Sequence, residues 1–340
     1  MGSGIIKREI KLKHILSLKD LTKDSFLPDH SFNNTFCLFK SIDEILHLIY
    51  SNKKKSIISY DLINNKKIVE IKNAHKTFIQ NFRHWFDKIN RRDLIMSLSF
   101  QDSNLKLWNI RNFECLLNLE NVYISNSNLI FSSCFINDDN AIYLITSIQS
   151  LNFPSEPIKL FDLNGSKIKE FDYLSKEITY YIDIFYDNKS KNIFIITGNF
   201  GKIISYDYKK NKIYHKYDDS DKTEHINLII NNKEKIVKLI EASEENILIW
   251  NFHSGKLLKK IKVNNNRIYS IYLWNNDYLF LGFLFDIELL DIKNKKIIKK
   301  LIGHNEKVTT IKRIFLPSYG DCLISQGERH DQIKLWTIKL

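Results

Sequence analysis

Cysteine, proline and glycine are all scarce in this chain of 340 residues, which contains 4 cysteines, 4 prolines and 10 glycines. No two cysteines form a CxxC pair, so the sequence predicts neither a zinc site nor a redox centre. Isolated cysteines are typical of buried free thiols in a reducing compartment. With so few prolines and glycines, no stretch has the composition of a linker, and we expect one domain over residues 1–340.

Long apolar runs and common catalytic signatures are also missing. No run of about 18 apolar residues occurs, so no membrane span is expected. The N-terminal residues lack the apolar segment of a signal peptide, which favours an intracellular protein, cytoplasmic or nuclear. No P-loop, GxSxG, HExxH or GxGxxG motif stands in a usable context. The sequence therefore predicts no enzymatic activity, no cofactor and no metal.

Positive charge, in contrast, is abundant. Lysine and arginine number 51 against 39 aspartates and glutamates, which gives a formal net charge of +12. Such an excess is typical of proteins that bind nucleic acid or an anionic surface. A compositional bias explains it equally, because the chain is also crowded with isoleucine, asparagine and tyrosine. Both explanations stay open at this stage.

A short phrase recurs seven times along the chain: apolar, any residue, apolar, aromatic, and then a small polar residue. Leu105-Lys106-Leu107-Trp108-Asn109 is a complete example. Serine replaces the second apolar residue in the first and fourth phrases (Ser59 and Ser205), and in the sixth phrase a leucine replaces the aromatic residue. The phrases are spaced 40 to 53 residues apart and end at Asp61, Asn109, Asp162, Asp207, Asn251, Asp291 and Thr337. A period of this length that fills the whole chain indicates a repeat architecture.

Each phrase lies between other strand-like runs that are joined by polar turns, so each unit reads as a four-stranded antiparallel sheet. The seventh phrase ends close to the C-terminus and leaves no room for its fourth strand. An isolated run at residues 5–12 can supply it and complete the last unit, residues 304–340. Seven small sheets arranged radially would bury both faces of every sheet and leave only short edges. We therefore expect an all-β ring closed by an N-terminal strand.

This pattern resembles the WD-repeat family of seven-bladed β-propellers. The residues that carry the resemblance are Gly303-His304 with Trp336, and Ala74-His75 with Trp108. The resemblance implies a buried hydrogen-bond chain of His, Ser, Asp and Trp within a blade. The expected members are His75, Ser99 (with Ser97 as a rival), Asp102 and Trp108 in the second blade, and His304, Ser325 and Trp336 in the seventh. These histidines are thus interpreted as structural and not as catalytic.

The resemblance also implies a non-enzymatic scaffold for protein–protein interactions. Partners would bind on the top face, which is formed by the loops between the second and third strands and between successive blades. Candidate contacts are Gln101, Phe153 (in a long turn over residues 148–157), Phe200, Phe285 and Arg329. The other face, here called the bottom face, holds the turns between first and second and between third and fourth strands. It carries Lys66, Lys67, Arg91, Arg92, Lys209, Lys210, Lys212, Lys256, Lys293, Lys295 and Lys296.

The alternative function is nucleic-acid or anionic-surface binding through this basic bottom face, as part of a ribonucleoprotein or membrane-associated assembly. The pair Arg91-Arg92 on that face is interpreted as solvated loop charge, since two arginines without a shaped pocket are weak evidence for a site.

Overall fold

In a computed structural model of the chain, 28 strands form seven four-stranded antiparallel sheets. No helix occurs within the described part of the chain. The structure describes residues 11–17, 35–52, 55–99, 104–120, 128–139, 141–150, 157–171, 179, 181–199, 202–218, 227–231, 236–243, 245–263, 267–328 and 333–339. The predicted seven-bladed β-propeller is confirmed.

Blades 1 to 4 follow one another along the chain, each built from four consecutive strands. Blade 1 contains β2 (Phe36–Lys40), β3 (Leu46–Ser51), β4 (Ile57–Asp61) and β5 (Lys66–Ile71), and blade 2 contains β6 (Ile79–Asp87), β7 (Arg92–Ser99), β8 (Asn104–Asn109) and β9 (Glu114–Leu119). Blade 3 contains β10 (Asn128–Asp138), β11 (Ala141–Ser150), β12 (Ile158–Asp162) and β13 (Lys167–Phe171), and blade 4 contains β14 (Tyr181–Asp187), β15 (Asn192–Asn199), β16 (Lys202–Asp207) and β17 (Lys212–Asp218).

Blades 5 and 6 repeat the pattern, whereas blade 7 joins the two ends of the chain. Blade 5 contains β18 (Asn227–Asn231), β19 (Lys238–Ser243), β20 (Asn246–Asn251) and β21 (Leu257–Lys262), and blade 6 contains β22 (Ser270–Leu273), β23 (Tyr278–Gly282), β24 (Asp286–Asp291) and β25 (Lys296–Ile302). Blade 7 contains β26 (Val308–Leu316), β27 (Gly320–Gly327), β28 (Ile333–Lys339) and β1 (Lys11–Ser17).

The N-terminal strand closes the ring, as the sequence predicts. In the antiparallel pairing of β1 with β28, Lys11 lies opposite Lys339 and Ser17 lies opposite Lys334. The described strand shares only Lys11 and Leu12 with the predicted range 5–12, and residues 5–10 lie outside the described part of the chain. Because β28 is paired on both sides, the last blade exposes no unpaired third-strand edge.

The first strand of each blade lies nearest the axis, and the core lies between the blades. Contacts between neighbouring sheets are concentrated on their first strands, for example β10 with β14 and β22 with β26. Apolar side chains fill each space between blades. Between blades 1 and 2, Ile49, Phe82 and Trp108 belong to one buried cluster. Both faces of each sheet are therefore covered, which explains why third strands such as β4 are buried at every residue.

The recurring phrase is the third strand of every blade, and its final polar residue closes the turn to the fourth strand. Asp61 Oδ1 accepts the backbone N–H groups of Ile63 and Asn64 at 3.0 and 3.1 Å. Although burial raises the pKa of the Asp61 carboxyl, these donors and the Asn64 side chain hold it below its ordinary value. The equivalent residues of blades 2 to 6 also accept backbone N–H groups: Asn109, Asp162, Asp207, Asn251 and Asp291. The small polar residue therefore recurs because it shapes the turn.

The same turn requires one residue with a positive φ. This residue is Asn65 in blade 1 and Asn211 in blade 4, with φ of 52° and 53°. In blades 3 and 5 the residue is glycine (Gly165 and Gly255). Asparagine and glycine adopt the left-handed region more readily than other residue types. In blades 2 and 6 the position is held by Phe113 at φ 57° and Lys295 at φ 53°, which is unusual for side chains of this size.

Candidate interaction surfaces

A buried hydrogen-bond chain links three side chains of blade 2. His75 Nε2 is 2.7 Å from Ser97 Oγ, and Trp108 Nε1 donates to the same oxygen at 2.8 Å. The hydroxyl is that of Ser97, the alternative candidate in the sequence, and not that of Ser99. The pairing of β7 with β8 explains the difference. Trp108 lies opposite Ile95, so Ser97 is two residues further along β7 and Ser99 is four. Ser99 bonds to the hydroxyl of Thr77 instead. Asp102 lies outside the described residues.

Blade 7 contains the same arrangement with the same offset. His304 Nε2 is 2.7 Å from Ser325 Oγ, and Trp336 Nε1 donates to that oxygen at 2.8 Å. Trp336 lies opposite Leu323, two residues before Ser325. His304, Ser325 and Trp336 are all buried. Their hydrogen bonds therefore satisfy these polar groups inside the protein and fix the position of the tryptophan.

Blade 5 has a related bond that sequence reasoning missed. Trp250 Nε1 donates to Glu241 Oε2 at 3.1 Å, and both residues are buried. Trp250 lies opposite Leu239, so Glu241 stands two residues beyond it, where blades 2 and 7 carry serine. The hairpin between β19 and β20 is shorter than those of blades 2 and 7, which hides the correspondence in the linear sequence. Counting from the tryptophan's strand partner, and not from the tryptophan itself, would have found Glu241.

Blade 6 keeps its shape by apolar packing. The aromatic position of its phrase is held by Leu290, which is buried in a cluster with Leu279, Leu281 and Ile268. Leu281 occupies the position that carries serine in blades 2 and 7, because it lies two residues beyond Leu279, the partner of Leu290. An apolar residue at each of these positions replaces the polar chain without leaving a buried polar group unpaired.

Of the candidate contacts on the top face, only Phe285 lies within the described residues. Its side chain is 49% exposed, and the adjacent Leu284 is 42% exposed. The turn that carries them is held by backbone bonds from Phe283 to Asp286 and from His304 to Phe285. The candidates outside the described residues are Gln101, Phe153, Phe200 and Arg329. The predicted long turn over residues 148–157 is shorter than expected, because 148–150 belong to β11.

The bottom face carries exposed lysines on blades 1, 4, 5 and 6. All nine predicted lysines are exposed: Lys66, Lys67, Lys209, Lys210, Lys212, Lys256, Lys293, Lys295 and Lys296. Three of them make ion pairs: Lys67 with Glu70, Lys209 with Asp138 and Asp139, and Lys210 with Asp207. The other six lysines make no ion pair within the described residues.

Charged side chains from three blades that are not neighbours meet at the axis of the ring. Arg83 on β6 donates from Nη2 to the backbone carbonyl of Ile182 on β14 at 3.4 Å. Beside it, Asp183 accepts the hydroxyl of Tyr181 at 2.8 Å. The positive charge of Arg83 repels that of Lys312 on β26. Because these residues come from blades 2, 4 and 7, they line the central channel.

Burial, and then the charge of Arg83, lowers the pKa of Lys312 to about 8 from the ordinary lysine value of 10.5. The folded protein therefore holds this proton more weakly than the unfolded chain does. Between about pH 8 and 10.5 the unfolded chain binds more protons, so this group makes stability rise with pH in that window. At neutral pH both states are protonated, and the unfavourable contribution of this partly buried charge is fully present.

We expect Lys312→Met to raise the free energy of unfolding at pH 7 by about 1–3 kcal/mol, since one pKa unit corresponds to about 1.4 kcal/mol. This advantage should shrink as the pH rises from 8 to 10.5. Urea unfolding of both proteins at a series of pH values measures the difference, and Lys256→Met, at an exposed site, is the matched control. An advantage that is constant with pH would contradict the assignment.

Within the described residues, no group of three or more His, Cys, Asp or Glu side chains is arranged to hold a metal ion. Among the same residues, no helix is both long enough and apolar enough to cross a membrane.

Seven four-stranded blades in a closed ring define this chain as a β-propeller, and the His–Ser–Trp chains inside two of the blades resemble those of WD-repeat propellers. No protein-family model matches the chain. Over 74 residues it is 30% identical to the U3 small nucleolar RNA-associated protein 21 homolog of Schizosaccharomyces pombe. The matched segment covers 21% of this chain and 8% of that protein, so the chain corresponds to only a small part of its relative.

Proposed function

We propose that this propeller is a non-enzymatic scaffold that binds segments of other proteins on its top face, around the central channel. The observation that carries the proposal is the adjacent exposed pair Leu284 and Phe285 on a backbone-bonded turn of that face. Exposed apolar side chains that stand together are typical of contact sites. A turn that is already ordered loses little entropy on binding, so a modest contact area suffices.

We further propose that the assembly it serves is RNA-associated and that the protein works in the nucleus. The name of the Schizosaccharomyces pombe relative, a small nucleolar RNA-associated protein, supports this proposal. Within such an assembly a propeller would position other proteins on a rigid ring. The two described histidines of the sequence motifs, His75 and His304, fit a structural role because each is buried against a serine hydroxyl.

The second candidate function is nucleic-acid binding through the basic bottom face. It is favoured by the exposure of all nine lysines and by the absence of an ion pair, among the described residues, for Lys212, Lys256, Lys295 and Lys296. Lysines that neutralise phosphates release counterions, so binding by this face would weaken steeply as salt is added.

Affinity capture with cross-linking from native cells tests the proposal. We expect Leu284→Ser/Phe285→Ser to lose at least about nine-tenths of the captured partner, because isolated hot-spot truncations weaken binding by 2 kcal/mol or more. Phe315→Ser, at another exposed phenylalanine, is the matched control and should retain it. Equal capture by all three proteins would contradict the top-face proposal. Titration of the same proteins with single-stranded RNA at low and high salt tests the second candidate, which fails if binding is absent at low salt or insensitive to salt.

A further inference from the structure

A groove opens on the bottom face between blades 1 and 2. Its cavity measures about 90 Å³, a few times the ~30 Å³ that a water molecule occupies in the liquid. Five of the twelve residues that line it are apolar: Ile42, Ile45, Ile68, Ile110 and Phe113. The groove therefore has room for one apolar side chain of modest size, and Ile42, which is 40% exposed, stands at its mouth.

Phe113 is an unusual residue for its place in the groove. It occupies the positive-φ position of the third-to-fourth-strand turn, where blades 1 and 4 have asparagine, blades 3 and 5 have glycine and blade 6 has Lys295. A bulky residue there is conformationally unfavourable, by about 1 kcal/mol or more. The strain places an aromatic side chain beside the cavity, and an asparagine at the same position would relieve it. Folding alone therefore does not favour phenylalanine at this turn.

Arginines surround the apolar wall. Arg91, Arg92 and Arg111 all line the groove. Arg92, the first residue of β7, donates from Nε to Asp87 at 3.0 Å. It therefore belongs to an ion pair and is not the solvated loop charge that the sequence predicted. Arg91 and Arg111 are exposed and make no ion pair within the part of the chain that the structure describes. They present guanidinium groups to solvent at the edge of the groove.

The groove also contains two carboxylates, but only one is available on its rim. Asp93 is buried and occupied, because it accepts the backbone N–H of Ile42 at 3.0 Å and lies 2.7 Å from His84 Nε2. Asp43 is exposed on the rim. Two unpaired arginines against one exposed aspartate leave the rim positively charged.

We propose that this groove binds an acidic segment of a partner protein, which inserts one apolar side chain between blades 1 and 2 and pairs its carboxylates with Arg91 and Arg111. Arginine suits this role because its planar donors match a carboxylate in a bidentate fashion. A nucleic acid fits less well, since single-stranded bases stack on flat aromatic platforms, whereas four of the twelve lining residues are isoleucine and two, Phe113 and His47, carry aromatic rings. The groove is separate from Leu284 and Phe285, so this inference stands or falls independently of the top-face proposal.

A library of random 12-residue peptides, displayed on phage and selected on the full chain, tests the proposal. Selection is followed by removal of phage that bind the Arg91→Glu/Arg111→Glu variant. We expect the retained peptides to carry aspartate or glutamate within a few residues of one leucine, isoleucine or phenylalanine. Fluorescence anisotropy with one such labelled peptide should show binding at least tenfold weaker to the charge-reversed variant. Peptides without acidic residues, or equal binding to the variant, would overturn the proposal.

Two further variants separate loss of the site from loss of the fold. Phe113→Asn removes the aromatic wall but gives the turn the residue that blades 1 and 4 use, so the protein should unfold at a similar temperature while peptide affinity falls at least fivefold. Lys256→Glu/Lys293→Glu removes as much positive charge from other blades of the same face and should leave peptide affinity within twofold of wild type. The proposal is wrong if that control weakens binding as much as Arg91→Glu/Arg111→Glu does. It is also wrong if the two arginine substitutions weaken the binding of poly(U) RNA or of acidic lipid vesicles but not the binding of peptides.

Discussion

Replacing Ser97 with alanine should lower the free energy of unfolding by about 2–4 kcal/mol. The hydroxyl is fully buried and is the common partner of His75 Nε2 and Trp108 Nε1. Its removal leaves both groups without that bond inside the blade, and each buried polar group left unpaired costs about 1–3 kcal/mol. Urea unfolding followed by tryptophan fluorescence measures the effect.

Ser99→Ala is the matched control for Ser97→Ala. Ser99 lies on the same strand and is as deeply buried as Ser97. Its hydroxyl bonds to one part-buried hydroxyl, that of Thr77. A loss of about 1 kcal/mol is expected, which is the usual net value of one such bond. If the two substitutions have equal effects, the shared bonds of Ser97 do not carry the stability of blade 2.

The architecture could be predicted from the sequence because its signal is local and repeated. Each phrase contains the apolar pattern of a strand that is buried on both faces. It also contains the polar residue that shapes the following turn. Asp61 and Asp207 each accept backbone N–H groups in that turn, so the polar ending recurs for a physical reason. The ring closure was equally accessible, because a third strand without a fourth leaves an unpaired edge that some other segment must cover.

Side-chain partners could be predicted less well, because they depend on register and not on spacing along the chain. The position that matters lies two residues beyond the strand partner of the aromatic residue. This rule selects Ser97 over Ser99, and it identifies Glu241 as the partner of Trp250. Counting along the sequence fails there, since the hairpins between second and third strands differ in length.

The groove between blades 1 and 2 was beyond the reach of sequence reasoning for the same kind of reason. Arg91, Arg111 and Phe113 come from two turns of blade 2, and Ile42 comes from blade 1. In the linear sequence the arginines appear as scattered loop charges. Only the packing of the two blades brings them to one cavity and makes their shared charge relevant to binding.

Deleting residues 1–17 should destabilise the whole ring and not just its last blade. Without β1, the outer edge of β28 from Lys334 to Lys339 loses its backbone partners, and Trp336 and Ile338 lose the strand that covers that edge. An exposed edge next to a large apolar cluster invites pairing between molecules. We expect the midpoint of thermal unfolding to fall by roughly 10 °C or more, which for a chain of this size corresponds to several kcal/mol, and we expect oligomers in size-exclusion chromatography with light scattering.

Deletion of residues 1–10 is the matched control, because it retains every residue of β1. If the strand Lys11–Ser17 is what closes the ring, this shorter deletion should leave the protein monomeric and within a few degrees of the wild-type midpoint. A loss as large as that of the longer deletion would mean that the closing interaction extends into residues 5–10 of the predicted strand 5–12. A ring that tolerates both deletions would show that blade 7 is held by its contacts with blades 1 and 6, and that strand pairing at β28 contributes little to closure.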